Sequence, residues 1–316
     1  MGNINVAVMG EEAYARNLGR KGTVSDITFY DFKSPANDTI TAIEPSKYPD
    51  KLASLFYALS ITDYAVMIVN NIDAVMGEMI LAADTLGLKK GAFIMKNYHQ
   101  PEEMAPLIKG TSLEGFEFMA DDHIALKEKL LRMAADTKAP ETPKGAVPID
   151  HFFNVKGVGT VILGVVASGT IRRHDELRVM PTANFAQVRS IQKHDDDFEV
   201  ATLGDRVGLA LKNITVEELD RGYVLTNEEM LCLTKLNVKV KPHKFWKKPL
   251  EVGMVLHIGH WMQYLPARVE KAEKTSEGHA LELVLEKPMA LKADSRLFIS
   301  YIDQPKLRVI GPAYLA

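Results

Sequence analysis

A chain of 316 residues has room for two or three domains, each with a core of its own. Its 47% apolar and 25% charged content is that of an ordinary globular protein, and no apolar run approaches the roughly 18 residues of a membrane helix, so no membrane partner is expected. Cys232 is the single cysteine, which excludes an internal disulfide, and the N-terminus lacks the basic start and apolar core of a secretion signal, so cytoplasmic residence is the expectation. Charge is uneven. Residues 1–140 carry 14 Lys and Arg against 19 Asp and Glu (net −5), residues 141–228 carry 10 against 13 (net −3), and residues 229–316 carry 14 against 9 (net +5). A basic last third favours an acidic partner, RNA rather than DNA being the candidate.

The first region alternates strands and helices. Strands are expected at 4–9, ending at Gly10, then at 27–31, 39–43, 64–69, 91–95 and 116–119. Residues 65–69 (Ala-Val-Met-Ile-Val) are continuously apolar, as in a strand covered on both faces. Helices are expected at 49–59, 76–86, 101–109 and 122–135; Leu52, Leu55, Phe56 and Leu59 show helical spacing, and Gly87 closes the second helix. This alternation predicts a largely parallel sheet. Gly19-Arg20-Lys21-Gly22-Thr23 is taken as a turn, and residues 137–145, with Pro140 and Pro143, have the character of a linker.

Beyond the linker the pattern becomes all-β. Thr160 to Val166 is β-branched and apolar, Ser168-Gly169 marks a turn, and a further strand is expected over 171–179. Asp195-Asp196-Asp197 is expected to form a solvated turn, since three adjacent carboxylates cannot all face one cation from a strand. Cys232 is expected to be a buried strand residue in the last third, where strands are predicted at 231–240, 267–269, 280–285 and 297–301. His257 and His260, three apart on a strand, point to opposite faces, so a shared metal is not expected.

The run Asn154-Val155-Lys156-Gly157-Val158-Gly159-Thr160-Val161, followed by Gly204-Asp205-Arg206-Val207-Gly208 and Asp220-Arg221-Gly222, closely resembles the second domain of translation elongation factors of the Tu type. Ser190-Ile191-Gln192-Lys193-His194 is most similar to the selenocysteine-specific branch, and residues 248–260 resemble the opening of the third domain of these factors. The resemblance implies a P-loop GTPase-like α/β domain at 1–140, a domain-2-like β-barrel at 141–228 and a domain-3-like β-barrel at 229–316. It also implies a translational context with tRNA, the ribosome or another translation factor as partner. The selenocysteine factors carry an additional C-terminal part that reads an mRNA hairpin; this chain ends at Ala316, before it, which puts that delivery role in doubt.

Such a first domain should carry nucleotide motifs, and here they are rewritten. A phosphate-binding loop, G-x-x-x-x-G-K-[ST], surrounds phosphates with backbone amides and neutralises them with its lysine. The chain offers Gly10 and then, four residues later, Ala15-Arg16-Asn17, with Glu11 and Glu12 adding negative charge. The family's D-x-P-G-H falls on Ile43-Glu44-Pro45-Ser46-Lys47, where only the proline remains. The guanine-reading N-K-x-D falls on Lys96-Asn97-Tyr98-His99, with histidine at the aspartate position. The interval after Gly10 is also too short for a full first switch loop and its flanking strand. The expectation is a degenerate nucleotide site with no catalytic residue, no metal and neither GTP nor magnesium as cofactor. Two functions stay open: a non-hydrolysing binding protein, or a GTP-binding translational GTPase with an unorthodox site. Any RNA contact is expected at 239–248, through Lys241, Lys244, Lys247 and Lys248, whose ammonium groups beside Phe245 and Trp246 suit phosphates and bases. The competing reading of that stretch is a surface loop with its aromatics tucked into the barrel.

Overall fold

The computed structural model describes every residue except Met1, Lys138 and Pro140, so part of the expected 137–145 linker lies outside the described residues. The N-terminal sheet has seven strands: β1 (Asn3–Met9), β2 (Arg20–Val24), β3 (Thr28–Lys33), β4 (Thr39–Glu44), β5 (Tyr64–Val69), β6 (Gly91–Met95) and β7 (Glu117–Ala120). Their order is β2-β3-β4-β1-β5-β6-β7, parallel from β4 to β7 and antiparallel across β2, β3 and β4. Helices α1 (Leu52–Ser60), α2 (Ala74–Leu86), α3 (Pro101–Ile108) and α4 (His123–Asp136) cover the two faces. All six residues of β5 are buried, which accounts for its unbroken apolar sequence. Asp73 caps α2 by accepting from the amides of Val75 and Met76, and Gly87 ends it at φ 76°, in the left-handed region that favours glycine.

Two closed six-stranded barrels follow. In the first, the strands Gly145–Val155 and Gly159–Val165 pair to close the ring. In the second, Leu231–Val240, Gly278–Leu291, Gln263–Thr275, Val255–His260, Leu297–Ser300 and Val309–Leu315 are paired in that order. Each barrel encloses its own apolar core.

Several local expectations are corrected. Residues 20–24 form an edge strand, not a turn; its polar side chains face water, so no apolar alternation betrays it. The short interval after Gly10 does hold a flanking strand, and indeed two; what it lacks is a helix. Ser168-Gly169 opens a strand (Ser168–Arg172), and a turn through His174 (φ 72°) separates it from Glu176–Met180. The acidic turn is confined to His194 and Asp195, both at positive φ, while Asp196 and Asp197 lie on the strand Asp196–Phe198. Cys232 is exposed, because the start of its strand lies outside the barrel core.

The three sheets are docked tightly. Glu78 of α2 is 3% exposed and pairs with Arg308, which also donates its own amide to the carboxylate at 2.6 Å. Arg296 donates to the C-terminal carbonyls of α2, Asp84 O at 2.8 Å and Thr85 O at 2.6 Å, where the helix dipole favours a cation. Phe56 of α1 packs on Phe298 and Tyr264, and a Cβ at Gly259 would come within 2.4 Å of its ring. Against the first barrel, Asn3 and Asn5 both donate to Gly204 O at 2.7 Å, and Arg221 pairs with Asp26. The fully buried Asp150 pairs with Arg206, whose guanidinium lies 4.0 Å over the Phe29 ring; burial pushes the Asp150 carboxyl up, but Arg206 and His151 outweigh it and hold it low. Removing one partner of a buried pair leaves an uncompensated charge. Arg308→Ala is therefore expected to cost about 3–5 kcal/mol in urea unfolding, and Arg308→Met with Glu78→Leu to recover most of the loss.

Candidate functional site

Two of the three nucleotide motifs of the sequence, those at Gly10 and at Glu44-Pro45-Ser46, meet at the C-terminal end of β1, where α/β sheets bind ligands. A cavity of about 430 Å³ opens there, lined by Gly10, Arg16, Glu44, Pro45 and Ser46 together with Lys21 and Lys47. Gly10 follows β1 at φ 99°, and a Cβ on it would lie 2.2 Å from Ile68 O. Its glycine character is thus required by packing against β5, whatever occupies the cavity.

A P-loop is a strand, a glycine-rich loop and then a helix whose first amides face the phosphates. Here Gly10 leads into a single 3₁₀ turn, Tyr14–Asn17, entered through Ala13 at φ 61°, and the chain goes straight on to the edge strand β2. Among the described residues no α-helix follows Gly10 before β2, and the α-helical residues that line the cavity, Val75 and Met79, belong to α2. The Ala15 amide donates to Glu44 Oε1 at 2.7 Å, so a carboxylate of the protein takes the donor. Burial raises the Glu44 pKa; the Ala15 and Ala13 amides, the Tyr30 hydroxyl and Arg16 partly offset this. Arg16 itself is exposed, as is Asn17.

The guanine-reading position lies apart from the cavity, in the loop after β6, where Lys96, Asn97 and His99 line a shallow depression of about 410 Å³. Only Lys96 reaches back. Its ammonium pairs with Glu11 at 2.7 Å and Asp121 at 3.2 Å, and Tyr14 donates to Asp121 at 2.8 Å. The hydrogen bond to Glu11 is the main cause of a raised Lys96 pKa. Asn97 donates to Asn70 O at 2.9 Å, and His99 lies 3.2 Å from Glu103. Tyr98, at φ 64°, is 97% exposed. The sequence reading named Glu11 as a repulsive charge and missed that Lys96 and Asn70 hold it; Asp121 and Tyr14 were missed altogether. Among the described residues no cluster of His, Cys, Asp and Glu could hold a metal. His257 stacks on Tyr264 and the buried His260 on Trp261, in separate surroundings.

The basic segment at 241–248 divides in two. Lys241 and Lys244 line a cleft between the first domain and the last barrel, whereas Lys248 lies 4.3 Å over the Tyr301 ring and Lys247 is exposed elsewhere. Trp246 is tucked against the barrel core, and Phe245 stays 42% exposed.

Residues 159–226 match the family model for elongation factor Tu domain 2. The chain is 37% identical to the uncharacterized protein MJ0325 of Methanocaldococcus jannaschii, over 98% of this chain and 99% of that one. It is 33% identical to the selenocysteine-specific elongation factor of the same organism, over 52% of this chain and 39% of that factor. The structure superposes on the elongation factor SelB of Methanococcus maripaludis, solved with the GTP analogue GppNHp, with a TM-score of 0.84 and 23% identity, covering 100% of this chain and 79% of that one. The chain belongs to the family of the M. jannaschii protein MJ0325, a lineage of the elongation-factor-Tu type homologous to the selenocysteine-specific factors. The sequence match to the selenocysteine-specific factors takes in about half of this chain and 39% of one factor and 28% of another.

The packing role of Gly10 has a direct consequence. Gly10→Ala is expected to destabilise the fold by at least about 1–3 kcal/mol in chemical denaturation, since the left-handed φ is strained and the contact with Ile68 O must also be relieved.

Proposed function

We propose that this chain is a translation-elongation-factor-like protein that binds tRNA, the ribosome or another translation factor without hydrolysing GTP. The observation that carries the reading is the Ala15 amide donating to Glu44 at 2.7 Å, beside a Glu11 carboxylate held by Lys96. A phosphate binds where amides and cations are free to meet it; here the Ala15 amide and the Lys96 ammonium are engaged by carboxylates of the chain, and Glu11, Glu12 and Glu44 in the cavity wall repel phosphate against the attraction of Arg16, Lys21 and Lys47. The three-domain arrangement then rests on internal contacts. A ligand shifts a conformational equilibrium only through differential affinity for its states, so guanine nucleotides exert no control here. The alternative, a GTP-binding translational GTPase with an unorthodox site, draws on the cavity of about 430 Å³ that persists beside Gly10.

Calorimetric titration with GDP and magnesium separates the two. The expected outcome is no submicromolar binding, and a solution scattering profile unchanged by GTP analogues; submicromolar affinity would establish the alternative. RNA contact is assigned to Lys241, Lys244, Lys247 and Lys248. Binding to total tRNA should weaken as salt rises, each lysine–phosphate contact adding about 0.7–0.9 to the log–log slope. Replacing all four lysines by glutamate should remove binding while thermal unfolding shows an intact fold. Absence of tRNA and ribosome binding at low salt would leave a protein-only partner as the better reading.

A further inference from the structure

The cleft holding Lys241 and Lys244 has a volume of about 540 Å³, within the ~300–1,000 Å³ range of small-ligand sites. It is built from two domains. Lys109, just after α3, comes from the first; Lys241, Lys244 and Arg296 come from the last barrel. Its one lining carboxylate, Asp84, already accepts from the Ser112 amide at 2.7 Å and lies 3.5 Å from His243. Arg296 is engaged by the α2 carbonyls. Lys109, Lys241 and Lys244 have no carboxylate partner among the described residues, so three positive charges border one cavity without an internal counter-charge.

The walls are tied together by hydrogen bonds. The Lys241 amide donates to Pro312 O at 3.0 Å and the His243 amide to Ile310 O at 2.8 Å, extending the barrel edge, while the His243 ring meets Thr85 Oγ1 at 2.7 Å. Two aromatic rings also border the cleft, Phe245 at 42% and Tyr314 at 43% exposure, with the Lys244 ammonium 5.1 Å over the Phe245 ring. Arg296 lies 5.9 Å over the Tyr314 ring, and Lys244 also donates to Lys109 O at 3.4 Å; cations without a carboxylate partner beside half-exposed rings form a stacking and phosphate-binding platform.

We propose that this cleft binds single-stranded RNA, its phosphates on Lys109, Lys241 and Lys244 and unpaired bases stacked on Phe245 and Tyr314. The inference rests on the RNA-binding reading above and narrows it. It adds Lys109, Phe245 and Tyr314 to Lys241 and Lys244 and specifies unpaired nucleotides, because the base faces of an A-form duplex are closed to side chains.

The test is fluorescence anisotropy at low salt with a labelled single strand of roughly ten nucleotides, the same sequence as a duplex, and total tRNA. The single strand should bind at least tenfold more tightly than the duplex. Tyr314→Ala and Phe245→Ala should each weaken single-strand binding by about tenfold, and Lys109→Glu should weaken it too. Tyr314→Phe keeps the ring and should bind like the parent chain, which separates stacking from misfolding. Equal binding of single strand and duplex overturns the proposal, as does single-strand binding indifferent to Lys109→Glu and Tyr314→Ala; tRNA binding that persists in those cases leaves the broader reading standing. Failure of every RNA to bind overturns both.

Discussion

The arrangement of the molecule depends on how α2 is held against the last barrel. Glu78 sits in the middle of the helix, almost wholly buried, and is tolerable there only because Arg308 meets it from the barrel. In the last turn of the same helix, Arg296 donates to the carbonyls of Asp84, which also accepts from the Gly87 amide, and Thr85. Two arginines of one barrel thus fix both position and rotation of one helix of the other domain. Phe56 makes the neighbouring helix equally dependent on the barrel, since its ring fills the space that the missing side chain of Gly259 leaves open. The basic cleft is a by-product of this docking: its walls face each other only because α2 is where it is.

The cavity beside Gly10 follows a related logic. A site that presents amides and a lysine to a phosphate has buried donors that need an acceptor. In this chain the acceptors are supplied from within. Glu44 takes the Ala15 amide, and Glu11 with Asp121 takes Lys96, with the Tyr14 hydroxyl also bonded to Asp121. Burial raises the Glu44 pKa, so its protonated form is favoured in the folded state relative to the unfolded chain. The sign is fixed by that direction: this group adds stability below its folded pKa and loses it as pH rises from the unfolded value through the folded one.

Much of the fold is legible in the sequence where burial is two-sided. Tyr64–Val69 and Gly91–Met95 announce themselves as continuous apolar runs, and α2 is closed by a glycine whose left-handed φ the structure requires. Legibility fails where the pattern carries no apolar signal. The edge strand Arg20–Val24 is polar because one edge faces water, and Cys232 is exposed because its strand starts outside the barrel. The candidate site was legible only as a set of losses. That Gly10, Glu44 and Lys96 are structural parts with defined partners depends on contacts between residues 29 to 85 positions apart, which no local pattern encodes. The cleft is harder still, since Lys109 and Lys244 are 135 residues apart and meet only across a domain boundary.

The short path from Gly10 to β3 shapes the cavity beside it. Between Gly10 and β3 the chain makes one 3₁₀ turn and one edge strand, with no room for a helix as well. Losing the helix removes the aligned amides and the partial positive charge that would favour phosphate. The segment in its place adds a strand to the sheet edge and buries Tyr14 and Ala15, so its backbone donors must be satisfied inside the protein. The carboxylate at position 44, the variable place of the D-x-P-G-H pattern, does this for the Ala15 amide. The loop after Gly10 and the segment that ends β4 are thereby tied to each other through one hydrogen bond, so neither can change its backbone course without leaving the Ala15 amide or the buried Glu44 carboxyl short of a partner.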